Sequence, residues 1–102
     1  MSYDISLVKG EKEVYNDNYT YNVSPMFRDA IGGGGLHELY DKKAVEVIPM
    51  LENAITKMKN NPEHYEVMNP SNKWGNYEGA LGVLENLYKA CKKNKTAIIK
   101  IT

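Results

Sequence analysis

The sequence predicts an α+β domain: a small, mostly antiparallel sheet built from both ends of the chain and packed against two main helices. Three observations predict it. Apolar and polar residues alternate near the N terminus, with Tyr3, Ile5 and Leu7 set against Asp4 and Ser6. The last stretch, residues 96–101, is again alternating and β-branched. Between them, two long segments repeat apolar residues at three- and four-residue steps, the period of a helix with one buried face. At 102 residues the chain is read as a single domain, 1–102, large enough for a modest core.

The elements follow in order. Residues 3–7 form a strand, Lys9-Gly10-Glu11 a turn, and residues 12–15 a second strand. Asn16-Asp17-Asn18 reads as a polar loop, and Tyr19, Tyr21 and Val23 as the inward positions of a third strand. Ser24-Pro25 then opens a helix over 25–31, the serine as cap and the proline at the first helical position. Gly32 stops it. After the glycine run, residues 36–40 make one helical turn.

Asp41 is expected to cap a longer helix carrying Ala44, Val47, Ile48, Leu51, Ala54, Ile55 and Met58 on one stripe, with Pro49 kinking or splitting it. Residues 63–73 read as irregular. Asn76 caps the clearest helix, whose stripe is Tyr77, Ala80, Leu81, Leu84, Leu87, Tyr88 and Cys91, and whose end carries Lys92, Lys93 and Lys95 against the helix dipole. Strands at both termini leave a sheet edge able to pair across a dimer, so a homo-oligomer is expected.

Composition narrows the function. Thirteen basic and thirteen acidic residues cancel, so no overall field draws the chain to nucleic acid or anionic lipid. No stretch reaches the roughly 20 apolar residues of a membrane span, and no signal-peptide pattern opens the chain. Cys91 is the single cysteine and lies on a helical stripe, where a buried inert thiol is expected. A reducing, cytoplasmic setting fits. His37 and His64 have no second ligand at metal spacing, so neither a metal nor another cofactor is expected. Glu38, Asp41 and His37 are close in sequence, but nothing in the sequence makes them converge, and no catalytic residue is assigned.

Two patches suit binding. Four consecutive glycines, Gly32 to Gly35, separate two helical segments, and glycine loses more conformational freedom on folding than any other residue. Arg28, the only arginine, together with Gly33, Gly34, Gly35 and His37, could surround an anionic group: backbone N–H groups take its oxygens, Arg28 supplies charge and His37 a hydrogen bond. Neither a phosphate-loop lysine nor a dinucleotide fingerprint accompanies the run, and a corner between helices explains it equally well. The second patch is Asn72-Lys73-Trp74-Gly75-Asn76-Tyr77, where Trp74 could stack on a base while Asn76 reads its edge, or could fold back onto the core. Tyr21, with Tyr3 and Tyr19, adds an aromatic surface.

Several tracts carry a resemblance: residues 2–7 (SYDISL), 19–27 (YTYNVSPMF), 39–43 (LYDKK), 48–51 (IPML) and 75–81 (GNYEGAL). Together they resemble a family of small phage and prophage accessory proteins. That resemblance implies a counter-defence role in the cytoplasm of a host cell. It implies a non-enzymatic protein that sequesters a phosphate-bearing, nucleotide-like signal. The residues read above, Arg28, the glycine run, His37, Trp74, Asn76 and Tyr21, would form the pocket, although the four-glycine run departs from the one or two glycines of the family. The alternative is a protein-interaction module that inhibits a host defence protein, and the third reading is a phosphodiesterase that degrades the signal.

Overall fold

The computed structural model describes residues 2–102. Strands β1 (Ser2–Lys9) and β2 (Lys12–Thr20) form a hairpin across Gly10. The short strand β3 (Ile98–Ile101) returns along the other side of β1, giving an antiparallel sheet in the order β2-β1-β3. Helices α1 (Ser24–Ile31), α2 (Ala44–Asn60), α3 (Pro62–Glu66) and α4 (Tyr77–Lys93) complete the fold. One sheet face is covered: Tyr3, Ile5, Leu7, Ile99 and Ile101 are buried in one cluster with Leu51, Ala54 and Met58 of α2 and Leu84, Leu87 and Cys91 of α4. The other face is a polar ladder in which Asn16 donates to Ser6 and Asn18 to Ser2 and Asp4. The predicted class therefore holds, a terminal-strand sheet on two main helices.

Six local expectations are corrected. Asn16-Asp17-Asn18 is not a loop but the middle of β2, because β1 offers a complete ladder and the asparagine side chains bond across the open face. Residues 21–23 leave the sheet as a 3₁₀ turn that runs straight into α1. Ser24 is consequently a buried helical residue and not a cap; Thr20 caps the 3₁₀ turn instead, accepting the Asn22 N–H at 3.2 Å.

Asp41 does not cap α2. It sits in the left-handed region (φ 65°) and donates its N–H to the Ile99 carbonyl at 2.8 Å. The first N–H groups of α2 find tertiary partners, Ala44 to Ala97 O at 2.8 Å and Val45 to Lys95 O at 3.0 Å, so no side-chain cap is required. The outer edge of β3 is met by the Asp41 bond and by the Ile99 N–H, which donates to the Lys42 carbonyl at 3.0 Å. Finally, α2 is not divided at Pro49, which lies on its exposed side, and residues 62–66 form the short α3.

Candidate functional site

The glycine run is an ordered corner. Gly32 ends α1 by donating to Arg28 O at 2.9 Å, and Gly35 donates to Gly32 O at 2.9 Å. Gly32, Gly33 and Gly35 have φ of 99°, 51° and 71°, values that glycine adopts at little cost. Gly35 is buried against α1: a Cβ there would lie 3.0 Å from the Arg28 backbone nitrogen. A 3₁₀ turn, Gly35–Leu39, follows. The Gly34 N–H points at the Glu38 carboxylate, which accepts it at 2.8 Å. The one glycine N–H of this corner aimed at an anion thus already holds a carboxylate of the same chain.

Arg28, Gly33, Gly34, Gly35, His37 and Tyr21 are brought together at this corner. The Tyr21 ring lies 4.8 Å from Tyr3 and 6.5 Å from His37, and Tyr3 lies 5.6 Å from both His37 and Phe27. Tyr3 is buried, and burial pushes its phenol above the ordinary range. Arg28 and His37 are exposed, and Arg28 has no ion-pair partner among the described residues. Glu38, Asp41 and His37 do not converge, since Glu38 bonds Gly34 and Asp41 pairs with Lys100.

Trp74 and Asn76 form a second group on the segment between α3 and α4. Three asparagines tie this segment down. Asn69 Oδ1 accepts the Tyr77 N–H at 2.8 Å, Asn72 Oδ1 the Trp74 N–H at 3.0 Å, and Asn76 Oδ1 the Gly79 N–H at 2.8 Å. The last is the predicted cap of α4. Gly75 packs on Thr20 and Val23, and the Asn76 N–H donates to the Tyr19 hydroxyl at 3.1 Å. Trp74 does not fold back onto the core: it is 69% exposed, and Val67 at the start of the segment is 82% exposed.

The sequence reading missed a third group. The Asp29 carboxylate accepts from His64 Nε2 at 2.9 Å and from the Tyr65 hydroxyl at 3.0 Å, while Lys57 Nζ lies 3.4 Å away and donates to the Asp29 carbonyl at 2.9 Å. One carboxylate on α1 thereby holds the end of α2 and the whole of α3. Donation from His64 and Tyr65 lowers the Asp29 pKa below the ordinary value, and burial together with the Asp29 charge raises that of Tyr65. Residues 28 to 36 positions apart in sequence make this cluster, and no spacing rule relates them. Glu38 is different: a carboxylate four residues after Gly34 was in local reach.

Among the described residues no group of three or more His, Cys, Asp or Glu side chains is placed to hold a metal ion, and no helix is long and apolar enough to cross a membrane. A scan against protein-family models, a search of curated proteins and a search of solved structures each found no match.

Proposed function

We propose that this chain is a non-enzymatic binding protein that recognises another protein through the segment carrying Trp74. The observation that carries this reading is an indole largely in solvent on a segment whose backbone is pinned by Asn69, Asn72 and Asn76. Large aromatic side chains supply much of the energy of protein interfaces, and a preorganised segment loses little entropy when it docks. The resemblance to phage accessory proteins favours a host defence protein as the partner, in the host cytoplasm.

Sequestration of a phosphate-bearing nucleotide is the second reading. Exposed Arg28 beside the Tyr21–His37 aromatic group favours it. It has less support, because Glu38 already occupies the Gly34 N–H and gives that corner a negative charge. A signal-degrading phosphodiesterase would draw on the Asp29–His64 pair, but both Asp29 oxygens are engaged in joining three helices.

The test compares wild type with Trp74→Ala. A host partner captured by the immobilised protein is purified and its affinity for both forms measured. A loss of tenfold or more, about 1.4 kcal/mol, supports the assignment. Equal affinity for both forms, or thermal stabilisation by nucleotides that Arg28→Ala abolishes, would move the function to the glycine corner.

A further inference from the structure

We propose that the concavity between β2 and the C-terminal half of α4 binds a small phosphorylated ligand, at a site separate from the Trp74 surface. It measures about 480 Å³, with Tyr15, Asn16 and Asp17 on one wall and Asn86, Lys89 and Lys93 on the other. That volume exceeds what a bare phosphate requires and leaves room for the group to which it is esterified.

Donors stand on both walls. Asn86, Lys89 and Lys93 follow at three- and four-residue steps and share one face of α4. Neither lysine has an ion-pair partner among the described residues, and no hydrogen bond engages the Asn86 side chain there. The strand wall supplies a backbone donor. Asp4 and Thr102 exchange both N–H···O bonds at 3.0 Å, so the even residues of β1 direct their backbone groups to β3 and the odd ones to β2. Opposite them, Tyr15, Asp17 and Tyr19 bond inward, while Asn16 and Asn18 direct theirs outward from the sheet edge. The Asn18 N–H is taken by the Asp17 carboxylate at 2.8 Å; the Asn16 N–H stays available at the concavity.

One carboxylate, Asp17, also lines the concavity and keeps its negative charge, which the two lysines outweigh. Asp17 Oδ1 holds the Asn18 N–H, and Oδ2 accepts from the Tyr15 hydroxyl at 3.4 Å. At the end of α4, the Asn94 backbone and side-chain N–H groups bond the Ala90 carbonyl at 3.0 and 2.9 Å, which offsets part of the negative helix terminus. Two compact ammonium charges, an amide and a backbone N–H suit a phosphate dianion with three terminal oxygens.

The test is a nitrogen-15 NMR titration with inorganic phosphate, a nucleoside monophosphate and a hexose phosphate. Saturable shifts of the Asn16 backbone and Asn86 side-chain amides are expected. Joint Lys89→Ala and Lys93→Ala substitution should weaken binding by at least about tenfold, and Trp74→Ala should leave it unchanged. The ester that binds more tightly than inorganic phosphate identifies the attached group. The proposal is overturned if the shifts are reproduced by sodium chloride at equal ionic strength, persist in the double variant, or leave Asn16 and Asn86 unmoved. Because Trp74 is tested separately, failure here leaves the protein-binding reading standing.

Discussion

The Tyr19 hydroxyl accepts the Asn76 N–H at 3.1 Å and lies directly over Gly79, so one phenol joins the end of β2 to the first turn of α4. A Cβ on Gly79 would overlap that hydroxyl and come within 2.6 Å of Tyr19 Cζ. Gly79→Ala therefore sets helix propensity against packing. Propensity alone would stabilise by about 1 kcal/mol. Displacing the ring and losing the Asn76 bond should outweigh it, for a net destabilisation of about 1–2 kcal/mol in urea unfolding. Tyr19→Phe in the same background should recover part of that loss. A Gly79→Ala variant more stable than wild type would show that Tyr19 yields freely.

The glycine run predicts a contrast between two adjacent residues. Gly35→Ala forces a side chain into the left-handed region and against the α1 backbone, and should cost about 1–3 kcal/mol. Gly34 has φ −81°, and a methyl there approaches only the movable end of Glu38, so Gly34→Ala should remain within about 0.5 kcal/mol of wild type. Equal effects in thermal unfolding would sink the account of the corner.

Acid should loosen the junction at Asp29. Its folded pKa lies below the ordinary value of 3.8, so the stability it supplies is fully present above that value and is lost as pH falls through the folded pKa. Asp29→Asn should be less stable than wild type at neutral pH, and the difference should shrink below about pH 4. Tyr65→Phe, which removes one buried donor to the same carboxylate, should cost about 1 kcal/mol. An Asp29→Asn deficit that does not change with pH would mean that the carboxylate charge is not what holds α3.

Cys91 is buried among the core residues, and burial pushes its thiol up to about 11. Alkylation by iodoacetamide at neutral pH should proceed only through unfolding, at a rate that rises with urea. Rapid labelling of the native protein would contradict this packing.

Much of the architecture was legible locally. The two helical stripes, the Asn76 cap, the Gly32 stop and the alternating termini depend on neighbours within one or two turns, where backbone propensity and side-chain period act directly. Two of the errors lie where a distant partner took over a local task. The β1 ladder carried Asn16-Asp17-Asn18 into a strand, and the Ala97 and Lys95 carbonyls replaced the cap assigned to Asp41.

The candidate sites divide the same way. Arg28, His37 and the glycines share a corner because they are close in sequence, while the occupation of that corner by Glu38 required knowing which way one N–H points. By itself the sequence determined the class of fold, its two main helices and its terminal strands. Tertiary structure alone decided that Trp74 faces solvent, that Asp29 meets His64 and Tyr65, and that α4 runs beside the open edge of β2. Local periodicity specifies which face of an element is buried, but contacts between residues dozens of positions apart arise only when those faces pack.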